Sequence, residues 1–339
     1  MRPFLLHIIC IVMLFSSCNW VNDDLSDCPT GTWLKISYTY NILDVDAASS
    51  QVGDITIFAF DKNNKYVDRL DVDSIALHQG YCMVRVPFPE GSYHLLLWGG
   101  ASDRQYRFPY LKTGQTERKS LLLSLICNSE KQMNGKLNDL FYGSLENITI
   151  SNDYQVLDAP LVKNTNYFSC ILQDENNNLL NQEDFTFTLE AANGVMDHTN
   201  TPLGTEPVYY RPYRQEVSIL NEEEIPVIHA RLNTLRIMKG DQTTLTIKHI
   251  PSGQEILRLP LTQYLLLSKI HSYTGNEMGD QEYLDRQDSY TLLFFIQSSD
   301  MGIPKICPRI MVNGWTVRLN DSELEFLEHM TDCMRTDFR

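Results

Sequence analysis

Apolar residues in this chain fall at every second position over short runs, and Asn, Asp, Gly and Ser interrupt the runs. That period matches the two faces of a β-strand and not the 3.6-residue repeat of a helix, so most of the chain is restricted to sheets. Over residues 32–40, Leu34, Ile36, Tyr38 and Tyr40 share one face, with Lys35, Ser37 and Thr39 on the other. Ile55 and Ile57 then lie opposite Thr56, Phe58 and Phe60. Asp61-Lys62-Asn63-Asn64 ends that run as a turn, because Asp and Asn bond to their own main chain and tolerate left-handed angles.

Further strands are predicted at 81–86, 92–98, 117–127 and 141–150, then, beyond the polar stretch 151–153, at 156–162, 167–172, 185–190, 208–210, 227–238, 243–250, 256–261, 291–297 and 306–319. The reading is an all-β fold of two tandem sandwiches, an N-terminal one over 32–153 and a C-terminal one over 154–319. Asn313-Gly314 predicts a two-residue hairpin joining 306–312 to 315–319, since that turn needs positive φ at both positions. Residues 262–270 have the length of a buried strand or of one short helix, and their apolar positions do not alternate cleanly. In the tail 320–339, Ser322 and Glu325 have capping-box spacing and Leu324, Leu327, Met330 and Met334 share a helical face, which predicts a short C-terminal helix.

The N-terminus is of another kind. Arg2 precedes an apolar run over 4–15, and Ser16-Ser17-Cys18 follows. A basic start, a short apolar core, small residues and a cysteine make up a lipoprotein signal peptide, residues 1–17, with Cys18 as the acylated residue. The run is too short to cross a bilayer, which takes about 20 apolar residues. Residues 18–31 then form a lipidated tether, and outer-membrane lipid becomes the first partner through Cys18.

The chain carries 28 basic and 43 acidic residues, a net charge of −15, so no nucleic-acid partner is expected. Of eight cysteines, Cys10 leaves with the signal and Cys18 takes lipid. Cys28, Cys82, Cys127, Cys170, Cys307 and Cys333 remain as possible disulfide cysteines, with the connectivity open. No C-x-x-C pair or clustered histidines point to a metal, and no cofactor is indicated. Nor is there a G-x-S-x-G, G-x-G-x-x-G, P-loop or H-E-x-x-H, so no catalytic residue is nominated and an enzyme is not expected. Trp33, Trp98, Tyr106, Tyr110, Tyr209, Tyr210 and Tyr213 are the aromatic candidates for stacking on sugars, against the plainer role of core residues.

Several stretches together resemble the FimB-like fimbrial anchor lipoproteins of Bacteroidales, the minor subunits of type V pili. They run from Cys18 to Cys28-Pro29 and through 34–41, then 57–61 and 89–100, the last ending in Trp98-Gly99-Gly100. Asn193-Gly194, Tyr210-Arg211-Pro212-Tyr213 and Asn233-Thr234-Leu235-Arg236 follow, then Gln281-Glu282-Tyr283-Leu284-Asp285-Arg286-Gln287-Asp288 and Asn313-Gly314-Trp315. The resemblance implies that both sandwiches are transthyretin-like. It also implies a lipid-anchored subunit of the cell outer membrane that attaches the base of a fimbria, limits its assembly and binds the first fimbrial stalk subunit by β-strand complementation. Asp23-Asp24 behind Cys18 resembles the export signal of surface lipoproteins in the same group. Stalk subunits of such pili are matured by an arginine-directed protease. Here no basic residue lies between Cys18 and Lys35, and the first arginine after the signal is Arg69, as suits an anchor whose first strand stays attached. The other reading is a glycan-binding surface lipoprotein of a polysaccharide-uptake system, which calls for coplanar exposed aromatics.

Overall fold

The computed structural model describes residues 29–78, 80–101, 104–204, 206–220, 224–269, 278–297 and 302–318. The signal segment, Cys18, Cys28, Cys333 and the predicted tail helix lie outside the described residues.

The fold is all-β and consists of two sandwiches. In the first, a four-stranded sheet in the order Gln155–Pro160, Thr32–Ser37, Tyr81–Arg85 and Ala76–His78 packs on a five-stranded sheet. The latter runs Val162–Lys163, Phe141–Ile150, Gly91–Gly99, Ile55–Asp61 and Tyr66–Val72. Leu34, Ile36, Ile57, Ala59, Val84, Leu95 and Leu97 fill the space between them. In the second sandwich, the six-stranded sheet runs Arg214–Leu220, Ile225–Leu235, Thr165–Asp174, Ser289–Gln297, Lys305–Val312 and Trp315–Arg318. It faces Gln254–Pro260, Thr244–His249, Phe185–Ala191, Val208–Tyr210 and Gln132–Met133.

The five-stranded sheet of the first sandwich is buried on both faces. Ile55, Ile57 and Ala59 point into the first core, whereas Phe58 and Phe60 point the other way and are just as deeply buried. Tyr106, Leu111, Leu121, Leu123, Leu137 and Leu140, from the segment after Gly100, cover that second face together with Phe108, whose ring lies 4.8 Å from that of Phe58. This layer continues without a break into the core of the second sandwich. Full burial of each such large side chain contributes about 1.5–3 kcal/mol. The two sandwiches therefore share apolar surface and are not linked by a loose hinge.

The predicted boundary at 153 needs correction. Gln155–Pro160 runs parallel to Thr32–Ser37, with Leu34 opposite Leu157, and Val162–Lys163 pairs with Phe141 and Tyr142. Both strands complete the first sandwich. In return, Leu123–Leu125 and Gln132–Met133 pair with Val195–Met196 and Val208–Tyr210. Parallel pairing demands a long crossover, so its partners cannot be read from neighbouring sequence. The predicted strand 117–127 is also shorter: Arg118–Ser120 is a 3-10 turn and only Leu123–Leu125 is extended.

Other expectations hold. Val312 faces Trp315 across a turn in which Asn313 has φ 48° and Gly314 has φ 83°, the hairpin geometry the dipeptide predicts. Asn313 further exchanges backbone and side-chain hydrogen bonds with Thr291, at 2.8 and 2.9 Å. Leu261–Lys269, which the sequence left between a buried strand and a helix, is a short helix.

Cys82, Cys127, Cys170 and Cys307 are free thiols, which corrects the disulfide expectation for these four. Cys82 faces the first core, while Cys170 sits in the second and Cys127 packs against it. Burial pushes the thiols of Cys82, Cys127 and Cys170 above their ordinary value, and burial with Glu175 beside it brings Cys307 up to about 12. In native protein at pH 8, half-buried Cys127 is expected to alkylate slowly, and the other three only on denaturation. Peptide mapping that finds any two of the four joined would refute this assignment.

Candidate functional site

The octet Gln281 to Asp288 becomes the helix Asp280–Arg286 and the two residues after it. Acids in its first turn and Arg286 in its last oppose the helix dipole favourably. Hydrogen bonds from Lys239 and Lys269 hold the Asp280 carboxyl down to about 2. Asp285 is 6% exposed and receives two 2.7 Å hydrogen bonds from the Arg236 guanidinium, plus one of 3.0 Å from Gln281. Such a forked, charge-assisted pair fixes direction as well as distance.

The neighbouring residues reach across to the first sandwich. The Arg286 guanidinium donates to the carbonyl of Asn41 and to Asp44, lies 4.4 Å over the Tyr40 ring, and is held from behind by Glu282. Its carbonyl accepts from the Ile42 amide at 3.0 Å. Asp288 accepts from Lys163 Nζ at 2.8 Å. That ammonium, on a side chain only 4% exposed, also meets Gln51 at 3.0 Å and Asp139 at 3.2 Å. Asp139 in turn accepts from the Tyr167 hydroxyl at 2.5 Å.

Landmarks remote in sequence converge beside this helix. The Asn193 amide donates to the carbonyls of Leu235 and Arg236, and its oxygen accepts from the Tyr210 hydroxyl at 2.7 Å. Asn164 and Asn200 exchange amide hydrogen bonds of 2.6 and 3.0 Å. The octet is thus absorbed by contacts within the chain, which make a polar joint between the sandwiches around a shared apolar layer.

The aromatic candidates divide. Trp98, Tyr106 and Tyr210 are buried, Trp33, Tyr209 and Tyr213 are half-buried, and Tyr110 is exposed. The stacked ring pair among the described residues, Phe168 with Tyr290, is buried. No group of three metal-ligating side chains occurs among the described residues. Ser169 Oγ and His229 Nε2 meet at 2.6 Å on adjacent strands, and burial, followed by Arg231, lowers the histidine pKa. That contact fastens the face of the six-stranded sheet.

An open edge lies at Arg214–Leu220, a strand the sequence reading omitted although Gln215, Val217 and Ile219 alternate. Among the described residues it pairs on one side only, with Ile225–Leu235. Val217 and Ile219 stand opposite Ile228 and Pro226 on the core side, yet are 41% and 61% exposed. Beside them a cavity of about 620 Å³ is lined by Leu179, Leu180, Asn181, Gln182, Glu216 and Val217. Unpaired backbone groups next to uncovered apolar side chains are a template for another strand.

Two tandem sandwiches are thus pinned into one body, and one sheet edge has no strand beyond it among the described residues. The model of the fimbrillin-A associated anchor proteins Mfa1 and Mfa2 matches residues 25–321, and the chain belongs to this family. The minor fimbrium anchoring subunit Mfa2 of Porphyromonas gingivalis is 22% identical over 261 residues, which span 75% of this chain and 77% of that protein. The structure of the P. gingivalis fimbrial anchor protein Mfa2 shares the fold, at 19% identity and TM-score 0.65, over 86% of this chain and 100% of that one. A Bacteroides thetaiotaomicron protein provisionally assigned to polysaccharide binding superposes with TM-score 0.74 at 27% identity, over 87% of this chain and 100% of its own.

Proposed function

We propose that this chain is the lipid-anchored surface subunit that fixes the base of a fimbria to the outer membrane, and that it holds the first stalk subunit by β-strand complementation at the Arg214–Leu220 edge. Membership of the anchor family is the observation that carries the reading. The first strand supports it. Thr32–Ser37, which follows the tether directly, is flanked by strands on both sides, and Leu34 and Ile36 are fully buried. Tension entering from Cys18 would load its two hydrogen-bonded ladders in shear, so many bonds must break together. The polar joint then passes the load to the second sandwich.

The test is a pull-down from detergent-solubilised membranes, wild type beside Cys18→Ala and beside the double variant Val217→Lys, Ile219→Lys. A β-rich fimbrial subunit is expected with the wild type. Cys18→Ala is expected to move that assembly into the medium, and the lysine pair, which blunts the edge, to lose the subunit while staying in the membrane. A lysine variant that retains the subunit would place complementation at another edge. Co-purification with a TonB-dependent transporter and no fimbrial protein would instead favour glycan capture. That second reading draws on the provisional polysaccharide assignment of the B. thetaiotaomicron structure. It calls for coplanar exposed aromatics, and the stacked pair Phe168 and Tyr290 is buried and does not supply them.

A further inference from the structure

The first sandwich has one sheet whose outer face carries no apolar layer among the described residues. The five-stranded sheet is buried on both sides, but the four-stranded one packs on the core only through Leu34, Ile36, Cys82, Val84, Leu157 and Ala159. Register places Trp33 and Lys35 on its other face, beside Arg85, Met83 and Tyr81 of one neighbouring strand and Val156 and Asp158 of the other. His78 lies opposite Tyr81 at the edge. Tyr81 is 49% and Val156 41% exposed. The Trp33 and His78 rings meet edge to face at 5.8 Å, and Lys35 turns from its register neighbour Asp158 to place its ammonium 3.9 Å over the Tyr81 ring. Among the described residues neither Lys35 nor Arg85 has an ion-pair partner.

We propose that this face lies against the lipid surface to which the chain is tethered, with Trp33, Tyr81 and Val156 at the headgroup level and Lys35 and Arg85 on its phosphates. The inference rests on the reading of Cys18 as the lipid anchor. Three observations select lipid as the occupant. The described residues begin at Pro29, three positions before the strand that carries Trp33 and Lys35, so in sequence that strand is the first to follow the proposed anchor. A short tether holds the face near the membrane at an effective concentration on the order of millimolar, so weak contacts suffice. The residue types are those of a membrane–water boundary: rings with one polar end, and long cations that keep their charge at the headgroups. In a chain of net charge −15, unpaired cations on one face also mark the side that an anionic surface repels least.

The experiment uses the full lipidated protein in vesicles of phosphatidylethanolamine and phosphatidylglycerol at 3:1 molar ratio, chosen as about the charge of a bacterial membrane, with and without brominated acyl chains. Flotation reports anchoring, and Cys18→Ala is its control. The Trp33 signal is the fluorescence difference between wild type and Trp33→Phe. Docking predicts that brominated lipid quenches this difference by about half, and that Lys35→Glu with Arg85→Glu lowers the quenching at least twofold without loss of flotation. Protein that floats with Trp33 unquenched overturns the proposal and leaves anchoring intact. If the wild type does not float, anchoring through Cys18 is wrong. The same quenching is then read on protein held to nickel-chelating lipid by histidines in place of Cys18, where unquenched Trp33 again overturns docking. A Trp33 signal that answers to added oligosaccharide and not to brominated lipid assigns the face to glycan and also overturns it.

Discussion

Gly100→Ala is expected to destabilise the protein by about 4 kcal/mol, at the upper end of single substitutions. Gly100 has φ +70°, and a Cβ built there lies 1.8 Å from the carbonyl oxygen of Asp139. Left-handed geometry by itself costs an L-residue about 1–2 kcal/mol. The larger part comes from the overlap, because the obstacle is backbone and cannot rotate away. Residues 137–140 would have to move, carrying Leu137 and Leu140 out of the shared apolar layer and Asp139 away from Lys163 and Tyr167. Gly80→Ala is the control: φ is +84° there but no atom lies within 4 Å, so only the conformational cost applies. Urea melts of both variants check the argument, and equal midpoints would mean that the overlap relaxes without cost.

The second large effect lies in the joint. Arg236→Ala is expected to cost about 3–5 kcal/mol, because it leaves the buried Asp285 carboxylate without its counter-charge. Asp285→Leu combined with Arg236→Met removes both charges, and much of the loss should return, since a buried ion pair is itself expensive to desolvate. The pair's role here is directional. It aims the helix so that Arg286 reaches Asn41 and Asp288 reaches Lys163. In the apolar double variant, limited proteolysis between the sandwiches should therefore speed up even where the melting midpoint recovers. A double variant no more stable than Arg236→Ala would show that the charge imbalance is not the cause.

Much of the secondary structure was legible because its causes are local. Strand 32–37 is visible in the alternation of Leu34 and Ile36 with Lys35, and the terminal hairpin in the positive φ that Asn313-Gly314 accepts. The strand Arg214–Leu220 was equally readable from Gln215, Val217 and Ile219, yet its acidic and basic neighbours masked the alternation. The joint is a different case. Asp285 and Arg236 are 49 positions apart and Lys163 and Asp288 are 125 apart, so their residue types were visible while their partnership was not. Likewise, the alternation of Ile57 with Phe58 distinguishes two faces but says nothing about what covers the second.

By itself, then, the sequence determined the β class, the turns and the terminal hairpin. Each follows from stereochemistry acting over a few residues. Only the tertiary structure decided where one sandwich ends, which thiols stay free, how the octet is used and which edge and face are left open among the described residues. Those outcomes depend on the partners that distant segments choose, and burial selects them only once the sheets have met.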